Sequence, residues 1–232
     1  MKKQKYSAIV LAAGSGKRMN SKVHKQYLII QDRPVLYYSL KAFEDSAVDE
    51  IVLVVGKGEE EFCRKEIVDK YGISKVKSIV EGGKERYHSV FEGLKQTSDA
   101  DYVLIHDGAR PFVNQDIIRR CMQEVQKYQA CVVGMPVKDT IKIADEEGYA
   151  KQTPDRKNVW MIQTPQTFSY ALIYEAYEEM LKTEDTAITD DAMVLERIKG
   201  KKSKLIEGSY RNIKITTPED LLIADVYLQH PE

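Results

Sequence analysis

The sequence predicts an α/β fold: a mainly parallel sheet with helices on both faces and a β-arm protruding from it. Three observations carry this. Short, nearly continuous apolar runs alternate with segments of helical period, the signature of strands buried on both faces and joined by helices. No internal repeat, low-complexity tract or long linker divides residues 1–232, so a single domain is expected. One stretch, about 136–157, departs from the rhythm and reads as a hairpin.

Residues 7–11, 50–55, 76–80, 102–105 and 130–134 are the apolar runs expected as strands. Between them, residues 34–43 place Val35, Leu36, Leu40 and Phe43 at helical spacing, with Pro34 suited to a first helical position. Segments 59–71, 85–96 and 115–128 have the same amphipathic period. In the arm, Thr140, Ile141 and Ile143 alternate with polar residues before a turn at Gly148. The arm has too few large apolar residues for a core of its own, so it must lie on something else, and a second subunit is one candidate. Helices are expected again at 170–181, 190–199 and 218–228.

Composition narrows the function. Hydrophobic residues make up 43% and charged residues 31%, and the formal net charge is -1. That balance argues against a nucleic-acid partner, which favours a clearly basic surface, but leaves room for a basic pocket around a small anion. Cys63, Cys121 and Cys131 form no CxxC pair and are expected as reduced thiols. The apolar run after Lys5 stops at Gly14 and meets Gly16-Lys17-Arg18, so it reads as a strand and not as a secretory signal. No segment reaches transmembrane length, and a cytoplasmic location without membrane contact is expected. His24, His88, His106 and His230 lack metal-ligand spacing.

In an open parallel sheet, ligands bind beyond the carboxyl ends of the strands, and the unusual residues of this chain collect there. The first strand runs into Leu11-Ala12-Ala13-Gly14-Ser15-Gly16-Lys17-Arg18-Met19. Glycines at a strand end let backbone N–H groups approach phosphate oxygens, and nearby cations add charge. A dinucleotide fingerprint would need glycine where Met19 stands; a Walker loop would need glycine at Leu11 and Ser or Thr at Arg18. The third strand ends in Glu81-Gly82-Gly83-Lys84-Glu85-Arg86, with Ser89 soon after, and the fourth in His106-Asp107-Gly108-Ala109-Arg110. Together these loops describe a site for a phosphate-rich nucleotide. Asp107 is placed to meet a ribose or a metal, with Mg²⁺ the expected ion because it commonly joins a carboxylate to substrate phosphates.

Residues 11–19, Lys25, 82–86, 106–111, 137–140, 163–166, 188–190 and 212–214 resemble the 2-C-methyl-D-erythritol 4-phosphate cytidylyltransferases of the non-mevalonate isoprenoid pathway. The resemblance runs from Ala8 to Tyr227. The sister ribitol 5-phosphate cytidylyltransferases of cell-wall synthesis share most of these blocks, but Ala13, Gly108 and Ala109 favour the isoprenoid family. Asp191 stands where that family often has Glu.

The resemblance implies a Rossmann-like nucleotidyltransferase that joins CMP from CTP to the sugar-alcohol phosphate and releases pyrophosphate, needing Mg²⁺ and no organic cofactor. It implies that Arg18 and Lys25 stabilise the transition state at the α-phosphate. Ala12, Ala13, Gly14, Ser15, Gly16, Gly83, Lys84, Arg86, Ser89, Asp107 and Gly108 are expected around CTP. Arg156, Lys214, Thr140 and Arg110 are expected around the acceptor, with Thr140 and Arg156 reaching a neighbour's site in a homodimer. A nucleotide-binding module without turnover is the reading from another class; it could dispense with Arg18 and Lys25, yet both are present.

Overall fold

The computed structural model describes residues 3–14, 24–97, 99–183 and 188–230. Five parallel strands appear where the apolar runs predict them: β1 (Tyr6–Ala12), β4 (Glu50–Val55), β5 (Val76–Glu81), β6 (Tyr102–Asp107) and β7 (Ala130–Pro136). With β10 (Trp160–Ser169) and β11 (Lys204–Glu207) they form a seven-stranded sheet in the order β11-β7-β10-β6-β1-β4-β5. β10 runs antiparallel to β6 and β7; the other pairings are parallel.

β1 lies inside the sheet and is buried on both faces. Ala8, Val10 and Ala12 pack with Leu36, Leu40 and Phe43 of α1 (Val35–Glu44), while Ile9 faces Val90 and Leu94 of α3 (Arg86–Lys95). Burying one such aliphatic side chain stabilises the fold by about 1.5–3 kcal/mol. The first face also receives α2 (Glu60–Cys63), which continues as a π-helical stretch to Asp69, and α4 (Gln115–Tyr128). The second receives α5 (Tyr170–Met180) and α6 (Asp191–Lys199). Pro34 sits one residue before its expected place: it caps α1 in extended conformation and pairs with Ile29 across a small ribbon, β2 (Ile29–Ile30) and β3 (Arg33–Pro34). The last helix, α7 (Pro218–Gln229), packs Ala224 with Ile30, Val35 and Ile215.

Two close approaches fix the edge where the loops gather. A Cβ on Gly93 would lie 2.5 Å from Ile9 Cγ2, so α3 rests directly on β1. A Cβ on Gly108 would lie 2.9 Å from both Leu11 O and Leu36 Cδ1, which lets the turn after β6 fold against the end of β1.

The arm leaves after β7 and returns into β10. Its ribbon, β8 (Ile143–Ala144) and β9 (Ala150–Gln152), is exposed throughout, and the Asp145 carboxylate accepts from the Glu147 and Tyr149 N–H groups at the tip. Gly148 has φ +89°, the left-handed region the expected turn requires. Ile141, Ile143 and Tyr149 stay exposed along the arm, as do Met161 and Ile162 near its root. Among the described residues, no helix is long and apolar enough to cross a membrane.

Candidate functional site

The carboxyl ends of β1, β5 and β6 meet at one edge of the sheet, around a cavity of about 370 Å³. Its walls are the Ala12–Gly14 loop, the Gly83–Arg86 turn and the residues after β6. The two glycine loops touch: a Cβ on Gly82 would lie 2.6 Å from Ala13 Cβ, and one on Gly83 would lie 2.3 Å from His88 Cβ. Only glycine allows this approach. Ser89 locks the second loop by accepting from Gly83 N–H at 3.1 Å, and His88 Nδ1 accepts from Glu85 N–H at 3.2 Å to cap α3. The N-terminus of α3 is thereby held against the cavity, where its dipole and backbone donors favour an anion. Gln26, which is buried, fastens the first loop by donating to Ala12 O.

Asp107, at the end of β6, organises the charges. Its Oδ2 lies 2.7 Å from Lys214 Nζ and 3.9 Å from Arg110 Nε, and its Oδ1 accepts from Arg86 Nε at 3.3 Å. Burial raises the Asp107 carboxyl, but Arg86, Lys214 and Arg110 outweigh it and hold it well below the usual carboxylate range. Arg86 is itself clamped: Nη1 and Nη2 donate to the two oxygens of the buried Asp191 at 2.8 and 2.9 Å. Burial lowers the Arg86 guanidinium, and the nearby Asp191 and Asp107 more than reverse that, so its charge is permanent. Tyr177 OH donates to the same Asp191 at 2.6 Å.

Arg86, Asp107 and Lys214 also line a second cavity of about 330 Å³, reaching Arg110, Thr164, Thr189 and Asp190. The two spaces therefore share a seam of charged side chains. Its floor is neutral. Burial pushes the His106 imidazole down to about 4, and its two nitrogens lie 3.0 Å from Thr164 Oγ1 and 3.2 Å from Arg110 O. Arg110 O can only accept, so the neutral ring carries its proton on Nε2, and Nδ1 accepts from Thr164 Oγ1, which itself accepts from Asp107 N–H. Asn212 Nδ2 donates to Thr164 O at 2.9 Å, and Arg110 Nη1 donates to Asn212 O at 2.8 Å.

Of the residues expected around CTP, Ala12, Ala13, Gly14, Gly83, Lys84, Arg86, Ser89 and Asp107 line the first cavity, and Lys25 and Lys214 join them. Lys25 Nζ donates to Ile215 O at 2.9 Å. Gly108 lines neither cavity; it is packed behind Asp107. Ser15, Gly16 and Arg18 lie outside the described residues. Arg110 borders the second cavity, whereas Thr140 and Arg156 are exposed on the arm and line neither. Arg156 Nη1 instead donates to Lys138 O at 2.9 Å.

Asp107 also bears on the expected metal. Both of its oxygens face cations, so its charge is already engaged by the protein's own side chains. Among the described residues no three His, Cys, Asp or Glu side chains gather as a metal site. The residues fit an anion-organising carboxylate and do not fit a resident metal ion.

Sequence reasoning did not single out Gln26, Asp191, Tyr177 or Thr164 as functional. Thr164 and Asn212 sit within recognised blocks but act from below the site. Asp191, by contrast, follows the cap residue Asp190 and looks like an ordinary first-turn acid.

The family model described as 2-C-methyl-D-erythritol 4-phosphate cytidylyltransferase matches residues 6–230. A protein of that name from Lachnospira eligens is 54% identical over 96% of this chain and 99% of its own length. Another from Lachnoclostridium phytofermentans is 50% identical over 97% of both chains. The crystal structure of a 4-diphosphocytidyl-2C-methyl-D-erythritol synthase from Anaerococcus prevotii superposes with a TM-score of 0.86 at 38% identity, covering 98% of this chain and 97% of that one. With the fold, the paired glycine loops and the charged seam, these matches establish that the chain belongs to the 2-C-methyl-D-erythritol 4-phosphate cytidylyltransferase family.

Proposed function

We propose that this chain transfers CMP from CTP to 2-C-methyl-D-erythritol 4-phosphate, forming 4-diphosphocytidyl-2-C-methyl-D-erythritol and pyrophosphate. The observation that carries the reading is the pair of cavities sharing Arg86, Asp107 and Lys214. One has the glycine loops and a helix N-terminus suited to a nucleotide. The other opens beside it, so two phosphate-bearing substrates can meet at the seam.

In this reading the acceptor phosphate oxygen attacks the α-phosphorus of CTP, a new P–O bond forms, and the bond to the β-phosphate oxygen breaks as pyrophosphate leaves. The attacking monoester is already anionic at neutral pH, so no side-chain nucleophile is needed. Negative charge is spread over the equatorial oxygens in the transition state, and fixed cations lower the barrier. Lys25 and Arg18 take that role. Lys214 turns toward the acceptor phosphate while Asp107 fixes its direction. Mg²⁺ arrives as part of the substrate, bound by the CTP phosphates.

The chain works as a homodimer in which Thr140 and Arg156 of each arm serve the neighbour's acceptor cavity. Support comes from the arm's exposed apolar residues, Ile141, Ile143 and Tyr149, and from the position of Thr140 and Arg156 outside both cavities of their own chain. A two-fold exchange gives both arms identical docking surfaces and closes the assembly. The reading places the enzyme in the cytoplasm, where its three free cysteines fit a reducing compartment.

The test is pyrophosphate release with CTP and Mg²⁺, with each acceptor supplied separately. Turnover with the methylerythritol phosphate is expected. Turnover with ribitol 5-phosphate alone would overturn the acceptor, and turnover with neither would leave a binding module.

A further inference from the structure

We propose that Glu59 is a positioning residue that sets the place of Lys25, an inference resting on the catalytic role given to Lys25 above. Glu59 belongs to the turn between β4 and α2, on a different part of the chain from the glycine loops. Lys25 rides on a single 3₁₀ turn, Lys25–Tyr27, closed by Tyr27 N–H donating to His24 O at 2.9 Å. Both residues that bracket this turn's working part reach the one carboxylate. Glu59 Oε2 accepts from Tyr27 OH at 2.7 Å, and Oε1 lies 2.8 Å from His24 Nδ1.

The carboxylate is in turn fixed to the sheet. Gly56 N–H, at the end of β4, donates to Oε2 at 3.0 Å, and a Cβ on Gly56 would lie 2.6 Å from that oxygen. The glycine makes room for the carboxylate to sit against the strand end. Tyr27 is further held by the edge of Phe62, ring centroids 5.2 Å apart. The result is a rigid path from β4 through Glu59 to the turn carrying Lys25 and Gln26, both of which border the nucleotide cavity.

A surface glutamate paired with a histidine would ordinarily have little effect on turnover. Here the contacts point elsewhere: His24 and Tyr27 of the turn and Gly56 of the strand end converge on one carboxylate, and Lys25, one of the two residues between His24 and Tyr27, supplies the ammonium. Displacing a reacting or charge-stabilising group by about 1 Å costs on the order of a hundredfold in rate. Losing Glu59 frees the turn without touching substrate.

The experiment measures steady-state kinetics of Glu59→Ala, Glu59→Gln, Tyr27→Phe and Lys25→Ala, with thermal unfolding of each. Glu59→Ala should lower kcat by roughly 10–100-fold with the acceptor KM little changed, because neither Glu59 nor Lys25 lines the acceptor cavity. Glu59→Gln retains an oxygen for Tyr27 and Gly56 and should recover most of the loss. In a Lys25→Ala background, adding Glu59→Ala should cost no more, since its effect passes through Lys25. Near-normal kcat in Glu59→Ala overturns the proposal, and so does an equal further loss in the Lys25→Ala background. If Glu59→Ala does not fold, Tyr27→Phe carries the same test: a several-fold loss that vanishes without Lys25 supports the link, and an unaltered kcat overturns it. A Lys25→Ala protein of normal kcat would instead remove the catalytic assignment on which the proposal stands.

Discussion

Replacing Asp107 by Asn tests whether one carboxylate holds the site's cations together. The Asp107 side chain is 12% exposed and faces Arg86, Lys214 and Arg110 at 3.3, 2.7 and 3.9 Å. Asparagine is nearly isosteric, so packing survives while the charge is lost. Its amide can still accept from Lys214 but turns an NH₂ toward a guanidinium. Breaking one side of a buried ion pair costs about 3–5 kcal/mol. The Arg86 and Lys214 side chains keep 30% and 35% exposure, so water recovers part of that cost. We expect a net loss of about 3 kcal/mol, or about 6–12 °C in melting temperature for a chain of this size. Thermal unfolding with and without CTP is the assay. The triphosphate should stabilise Asp107→Asn more than the parent, because an anion then replaces a missing anion. A melting temperature equal to the parent's, or a smaller gain on adding CTP, would refute the idea that Asp107 is the hub.

Mixing Arg156→Ala with Lys25→Ala, each nearly inactive alone, should restore activity once subunits exchange, because one site of a mixed dimer receives both intact residues. Proven exchange without rescue would put Arg156 in its own subunit's site, and a fully active monomer would remove the dimer. Stability should also fall in mild acid. His106 is held at about 4 against an ordinary value near 6.5, so its unfolded form takes up a proton first, and stability complete above pH 6.5 is lost as pH drops toward 4. At 1.36 kcal/mol per pKa unit the loss is about 3 kcal/mol. Asp107, also depressed, adds a further loss only below its unfolded value of about 3.9. Equilibrium denaturation across this range, in the parent and in His106→Asn, checks the assignment; an equal slope in both would refute it.

Much of this was legible in sequence, for reasons that differ by residue. β1 and β4 announced themselves because burial on both faces demands unbroken apolar runs. β10 did not. Its Gln163-Thr164-Pro165-Gln166 centre looks like a turn, and Pro165 occupies the register shift between Ile162 and Gln166 where a missing N–H is tolerated. The glycine loops were visible because close backbone approach leaves glycine no substitute. Gly108 was visible for the same reason, yet the approach it permits is to Leu11 and Leu36. Glycine reports crowding and does not say what crowds. Glu59 stands in the run Glu59-Glu60-Glu61, which in sequence looks like a solvated helix face, and no period in the sequence links it to Tyr27. Its partners are contributed by tertiary structure alone.

The charged seam also explains which cations suit substrate and which suit framework. Three like charges packed together would repel, and Asp107 in their midst lets them approach. Arg86 commits two N–H groups to Asp191, and Arg110 donates to Asn212 O and Ile162 O. Their planar forks are fixed by these partners. Lys214 meets Asp107 through one ammonium, which carries three donors on a flexible stem. It can therefore turn donors toward a phosphate and keep its anchor, whereas either arginine would have to surrender a contact that shapes the site. The neutral floor of His106, Thr164 and Asn212 supports this arrangement without adding charge to it. A chain with a formal net charge of -1 can thus hold a site with an excess of cations, because what the substrate meets is set by the geometry of a few side chains at one sheet edge.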